Sequence, residues 1–285
     1  MDFFELLKHI IFGFIQGLFE VLPISSSGQV SFMQNVLNAD ISTTTFFLVI
    51  INFGSLIAII IFLRKTIINI LKGLYRYFIK KDRNKETKEN YEFAINILIA
   101  IIPIGIVGII WGQIDYLFED HLLIIIGLGS LFTATVLYSA RSKTDMFTET
   151  KPTYKKSLYI GLVQVLAIIP GVSRLAITTT SGINKKLSYE TALNFSLLLF
   201  IPISLGTIFL AIVEGFIDIN NLLDFDISNI YVYINYFVSM IVSFITTYYA
   251  LKLIYKITRT GKFKLFYFYN FIFGIIALII GLMRH

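Results

Sequence analysis

The chain reads as an all-α polytopic membrane protein with about six full spans and two re-entrant helical hairpins in an inverted-topology repeat. Three observations lead to that fold class. Of 285 residues, 56% are hydrophobic and 15% charged, where a soluble domain carries roughly 25% charged residues. Apolar stretches close to the ~20 residues that cross a bilayer recur from end to end. Two short polar, proline-containing runs, Glu20 to Gly28 and Pro170 to Arg174, interrupt segments otherwise apolar enough to lie in lipid. The alternating pattern of a transmembrane barrel is absent. The longest polar stretch, about Lys80 to Asn90, is too short for a core of its own. Residues 1–285 are therefore read as one integral membrane domain.

The elements follow in order. About 3–36 is apolar but broken at Pro23 to Gly28, so it reads as a hairpin that enters and leaves on one side. Its start lacks a small-residue cleavage site before Glu20, which argues for mature protein rather than a signal peptide. A span is expected at 41–63. The loop 64–92 carries Arg64, Lys65, Lys72, Arg76, Lys80, Lys81, Arg83, Lys85 and Lys88. Short cytoplasmic loops are enriched in such residues, so this one faces the cytoplasm. It is read as a topological determinant near anionic lipid, not as a nucleic-acid site. Spans at 93–112 and 119–140 follow, with no basic residue at 113–118. Arg141, Lys143, Lys151, Lys155 and Lys156 mark the next cytoplasmic connection. The second hairpin, about 157–184, is broken at Pro170 and Gly171 and is followed by Lys185 and Lys186. Lysines on both sides of it mean that the chain returns to the cytoplasm. A span at 191–213 leads to the connection 214–231, with Glu214, Asp218, Asp224 and Asp226 and no basic residue, so it faces outward. Spans at 232–252 and 264–283 enclose the last inner loop, marked by Lys252, Lys256, Arg259, Lys262 and Lys264.

With 41–63 running inward, the first hairpin dips from outside and the second from the cytoplasm. Three spans separate them, and an odd number inverts the second unit. A short internal similarity supports the repeat: Gly13-Phe14-Ile15-Gln16 precedes Pro23, and Gly161-Leu162-Val163-Gln164 precedes Pro170. Inverted repeats with broken helices meeting near the midplane recur in transporters, where half-helix N-termini face anionic groups.

Composition excludes several chemistries. There is no cysteine, hence no disulfide, thiolate metal site or cysteine nucleophile. His9, His121 and His285 are scattered, against a histidine-ligated zinc site. The net charge of +6 reports topology rather than nucleic-acid binding. The 16 Tyr and 27 Phe suit membrane interfaces and packed spans. What remains is the two polar runs. An ionisable residue at membrane depth persists when paired or facing a water-filled cavity, and broken backbone persists only when packed in protein or lining one. Glu20 suits a metal ligand, a general base or a structural carboxylate. Ser25, Ser26 and Ser27 offer hydroxyls and helix-start N–H groups to an anion, or simply cap the second half-helix. Arg174 matches phosphate oxygens bidentately, or pairs structurally with Glu20. Either way the two runs meet in one site. A divalent cation, Mg²⁺ or Ca²⁺, suits the available oxygen donors.

At these residues the chain resembles the undecaprenyl-diphosphatase, or bacitracin-resistance, family. That family carries Gly-x-x-Glu-x-x-Pro-x-Ser-Ser-(Ser/Thr)-Gly-His near its start and Pro-Gly-x-Ser-Arg-Ser-Gly past its middle. Here they read Gly17 to Gln29, with Glu20, Pro23, Ser25, Ser26, Ser27 and Gly28 in register, and Pro170-Gly171-Val172-Ser173-Arg174-Leu175-Ala176. Ala192 to Pro202 is similar to the family's Phe-Ser-Phe-Leu-Leu-x-x-Pro helix. The resemblance covers essentially the whole chain. It implies hydrolysis of undecaprenyl diphosphate to undecaprenyl phosphate and inorganic phosphate, recycling the cell-wall lipid carrier in the bacterial plasma membrane. It also implies a divalent cation and a site open to the outer face. Glu20, Ser26 and Arg174 take the catalytic positions: Glu20 serves the metal or the base, Ser26 is nucleophile or phosphate contact, and Arg174 clamps phosphate. Ser25, Ser27, Gly28, Gln29, Gly171, Ser173 and Thr178 line the substrate. The polyprenyl diphosphate, the bilayer and a second copy in a homodimer are the partners it allows.

Four departures bear on turnover. The family histidine is Gln29, which donates a hydrogen bond but is no general acid. A glutamate before the first motif's glycine is Gln16. The family's Phe-Glu-x-x-Ile-Gln reads Phe47-Leu48-Val49-Ile50-Ile51-Asn52, without the carboxylate, and Ser-Gly after the arginine has become Leu175-Ala176. The competing reading is a non-hydrolytic polyprenyl-phosphate transporter or binding protein. A purely structural subunit explains neither polar run.

Overall fold

Apolar helices with few internal charges dominate the chain, and the computed structural model arranges them as eleven helices among the described residues. Those residues are 3–37, 45–111, 120–140, 149–217, 230–259 and 264–284. The helices are α1 (Phe3–Glu20), α2 (Ser26–Leu37), α3 (Thr45–Phe62), α4 (Arg64–Phe78), α5 (Lys85–Trp111), α6 (Leu122–Ala140), α7 (Tyr154–Gln164), α8 (Arg174–Asn184), α9 (Tyr189–Ile217), α10 (Ile230–Arg259) and α11 (Lys264–Met283). The loop at 113–118, Asp2, Arg141, Lys143, Asp218, Asp224, Asp226, Lys262 and His285 lie outside the described residues.

Five helices, α5, α6, α9, α10 and α11, are long and apolar enough to cross a membrane alone. The sixth expected span is α3, which with α4 forms a pair bent by 73° at Leu63. Here the structure corrects the sequence reading. Residues 64–92 are not one loop: 64–78 form α4 and 85–92 the first two turns of α5, joined by a short connection at 79–84. The density of Lys and Arg there obscures an apolar repeat of 3.6 residues, with Ile67, Ile70 and Leu74 turned to the core. Large apolar side chains such as Ile106 on α5, Phe209 on α9 and Ile272 on α11 are exposed, as expected where lipid is the solvent.

Both broken segments are helix–break–helix. α1 ends at Glu20, and Ser25 starts α2 by taking the Gly28 N–H on its Oγ at 3.2 Å. After α7, a 3₁₀ turn at Val165–Ile168 leads into Pro170-Gly171, and Ser173 caps α8 by accepting the Ala176 N–H. Gly171 adopts φ +88°, a conformation glycine reaches without steric penalty.

Neighbour contacts define how the two halves interlock. α1 lies along α10: a Cβ on Gly13 would stand 2.4 Å from the Ser239 carbonyl oxygen, and Thr247 Oγ1 donates to the Gly17 carbonyl at 3.0 Å. α7 lies along α5 in the same manner, with Gly161 against the Ala100 carbonyl at 2.4 Å and Asn96 Nδ2 donating to Pro152 O at 2.8 Å. In each case residue numbers rise together, so each hairpin's first helix runs parallel to its span. α5 leaves the basic α4 side while α10 arrives at the basic 252–264 side, so α1 and α7 enter from opposite faces. α6 and α11 meet reciprocally: a Cβ on Gly127 would lie 2.9 Å from Gly274 O, and one on Gly274 2.9 Å from Gly127 O. Gly13, Gln16 and Pro23 correspond to Gly161, Gln164 and Pro170, as an inverted repeat requires.

Candidate active site

The two breaks meet back to back. A Cβ on Gly28 would lie 3.0 Å from both Cα and N of Gly171, so the first turn of α2 packs directly on the second break. Side chains larger than glycine at either position would separate the two segments. Around that contact stand the end of α1 and the start of α8, which carry Glu20 and Arg174.

Glu20 Oε1 accepts from Arg174 Nη2 at 2.7 Å, across 154 positions of sequence. Its other oxygen, Oε2, accepts from Ser26 Oγ at 2.6 Å and Gln16 Nε2 at 2.7 Å. The Glu20 and Arg174 side chains are only 8% and 17% exposed. Burial of a charge pair is tolerated when further hydrogen bonds satisfy the remaining lone pairs, which Ser26 and Gln16 supply. The Arg174 guanidinium stacks 4.1 Å above the Phe200 ring of α9, and its Nε is buried without a partner. One donor of the fork is thus held ready while the other end is neutralised.

Each break is gripped by a span. Asn270 Nδ2 on α11 donates to Pro23 O at 3.0 Å, and the neighbouring Tyr269 hydroxyl donates to Gln29 Oε1 at 3.0 Å. On α6, Thr133 Oγ1 accepts from the Ser173 N–H at 3.0 Å and donates to Gly129 O at 3.0 Å. These contacts settle where each expected residue sits. Glu20, Ser26 and Arg174 converge. Ser25 is buried and caps α2, with its Oγ 3.3 Å from that of Ser27, which is exposed. Gly28 and Gly171 form the contact between breaks. Ser173 caps α8, so its hydroxyl serves the helix start. Thr178 Oγ1 donates to Arg174 O at 2.8 Å and contacts Ser196 Oγ, bracing α8 on α9. Leu175 and Ala176 are buried beside Pro23, Thr179, Tyr189 and Leu193, in an apolar recess of the core next to the site.

Gln16, Thr133, Phe200, Tyr269 and Asn270 complete the arrangement. Polarity within an apolar helix is the only sequence signal of Thr133, Tyr269 and Asn270, and Phe200 carries none. The same polarity marks Ser55 and Ser243, which bond each other across α3 and α10 at 2.9 Å while Ser243 also donates to Ile51 O.

Fold and site together define a multi-pass membrane protein with a largely buried polar centre built from two inverted broken helices. More particularly, the chain belongs to the bacitracin resistance protein BacA family, whose model matches residues 9–276. It is 31% identical over 280 residues to an undecaprenyl-diphosphatase of Oceanobacillus iheyensis, covering 98% of each chain. Over the same length and coverage it is 34% identical to undecaprenyl-diphosphatase 1 of Bacillus cereus. An undecaprenyl-diphosphatase of Acholeplasma laidlawii is 29% identical over 287 residues, 98% of each chain.

Proposed function

We propose that this chain is an undecaprenyl-diphosphate phosphatase of the bacterial plasma membrane, releasing inorganic phosphate and undecaprenyl phosphate and so recycling the cell-wall lipid carrier. Bacitracin resistance is the phenotype that goes with it. The observation that carries the reading is the part-buried triad of Arg174 on Glu20 at 2.7 Å and Ser26 on Glu20 at 2.6 Å, joining the two motifs that the family shares.

Without substrate, Glu20 neutralises Arg174. A diphosphate brings more negative charge and a matching pair of oxygens, so the guanidinium exchanges the carboxylate for phosphate. Glu20 is then freed as a base with Ser26 already hydrogen-bonded to it, the geometry of an activated nucleophile. In one route Ser26 Oγ attacks the terminal phosphorus, its proton passes to Glu20, undecaprenyl phosphate leaves, and water hydrolyses the phosphoserine. In the other, Glu20 activates that water directly and Ser26 holds a phosphoryl oxygen. Both routes rely on positioning and charge neutralisation, the main requirements of phosphoryl transfer.

Glu20, the serine hydroxyls and the Gln16 amide oxygen form an all-oxygen donor set with one carboxylate. No group of three His, Cys, Asp or Glu occurs among the described residues. Mg²⁺ is commonly held by one or two carboxylates plus substrate phosphates. Glu20 with the diphosphate oxygens would hold Mg²⁺ or Ca²⁺, which neutralises charge on the phosphoryl group when bound.

Phosphate release from undecaprenyl diphosphate by purified protein, with and without Mg²⁺ or Ca²⁺, is the test. Release well above an Arg174→Ala control supports the hydrolase. The presence of Gln29 where the family has histidine favours one second reading, a non-hydrolytic polyprenyl-phosphate carrier. Lipid binding that persists with no release would establish that reading instead.

A further inference from the structure

α4 has no part in the polar centre, yet its surface is sorted into three faces. At about 100° per residue, Thr66, Ile67, Ile70, Gly73, Leu74 and Tyr77 share the side turned to the protein. Ile70 is buried, Gly73 lies against Asn90 of α5, and Tyr77 stacks on Tyr91 with ring centroids 3.9 Å apart. A second face presents Ile68, Leu71, Tyr75, Phe78 and Ile79, each between 46% and 68% exposed. Lys65, Asn69, Lys72 and Arg76 form the third, all exposed. None of its three cations has an acidic partner within ion-pair distance among the described residues.

We infer that α4 is an interfacial helix whose Lys65–Lys72–Arg76 row binds the headgroups of anionic phospholipids while its Leu71–Tyr75–Phe78 row enters the acyl boundary. The bend of 73° from α3 turns α4 away from the spanning direction and toward the membrane plane. A nucleic acid or an acidic peptide would satisfy the basic row but leave five large apolar side chains in water. An amphiphile with an anionic head satisfies both faces at once, which is the arrangement of helices that lie in the membrane interface. Anionic lipid of the cytoplasmic leaflet attracts such basic segments, and α4 stands on the side marked by the other lysine-rich connections. The inference rests on α4 alone, so it stands or falls independently of the hydrolase reading.

The chain has one tryptophan, which makes a local fluorescence test direct. Tyr75→Trp in a Trp111→Phe background, purified into nanodiscs, reports on lipid contact at α4. Brominated phosphatidylglycerol should quench that tryptophan at least twofold more than brominated phosphatidylcholine at equal mole fraction. Lys65→Gln/Lys72→Gln/Arg76→Gln should bring the ratio to about one while quenching itself persists. Lys185→Gln/Lys186→Gln, which removes charge elsewhere on the same side, should leave the ratio unchanged. Equal quenching by the two lipids in the parent would overturn anion recognition. Absence of quenching by either would overturn the interfacial placement as well.

Discussion

Arg174 is held by charge on one side and by an aromatic face on the other, with Nε unpartnered between them. Replacing it therefore strands a carboxylate that is 8% exposed. Arg174→Ala should lower stability by about 3–5 kcal/mol, the usual penalty for breaking a buried pair from one side. It should also lower kcat/KM for phosphate release by about 10²–10³-fold, as loss of a transition-state donor does. Glu20→Gln added to it should recover thermal stability but no activity, which separates the structural role of the pair from the chemical one. Gln29 argues a finer point. With its Oε1 taken by Tyr269, the amide has only its N–H donors left to offer, a neutral substitute for part of what an imidazole supplies. Tyr269→Phe should raise KM about fivefold, the worth of one hydrogen bond, with little change in kcat. Gln29→His should instead act on kcat and introduce a pH limb near the histidine range, at about pH 6–7. Equal effects of both variants on KM alone would show that position 29 only binds.

At the scale of elements, the breaks are rigid because the spans grip them. Gly171 combines φ +88° with a would-be Cβ 2.2 Å from Ile126 O. Gly171→Ala should therefore destabilise by more than about 2 kcal/mol, read as a fall in the thermal midpoint in detergent and a parallel loss of phosphate release. Asn270→Leu strands the Pro23 carbonyl without a donor and should cost about 1–3 kcal/mol, leaving the second break intact. These two elements also show what was legible in the chain. Pro23, Pro170, Gly171 and the serines announce broken helices because nothing else explains them inside apolar segments. Asn270, Thr133 and Tyr269 do not announce their grip, since a single polar residue in a span looks alike whether it holds a break or bonds a neighbour. Thr178 illustrates a further limit: the resemblance sets it among the substrate contacts, and the direction of its hydroxyl, toward Ser196 and the Arg174 carbonyl, is set by the packing of α8 on α9. α4 was hidden for a third reason, because the nine Lys and Arg residues over 64–92 read as a loop unless the apolar period beneath them is followed.

At the scale of the whole molecule, opposite entry of the two hairpins is the feature on which the site depends. Half-helices that rise from opposite sides bring their ends together near the midplane. Parallel packing of α1 on α10 and α7 on α5 encodes this geometry in close glycine contacts rather than in the loops. Lysine placement and helix packing therefore make the same claim by separate physics, insertion charge in one case and steric fit in the other. The absence of cysteine allows a clean check in intact cells. Phe3→Cys, at the exposed start of α1, and Asn35→Cys, near the end of α2, should react with a membrane-impermeant maleimide. Lys185→Cys, at the exposed end of α8, and Tyr154→Cys, at the start of α7, should react only after the membrane is opened. Labelling of all four from outside would place both hairpins on one face and dissolve the shared site, since Glu20 and Arg174 would then approach along parallel half-helices with both carried from the same surface.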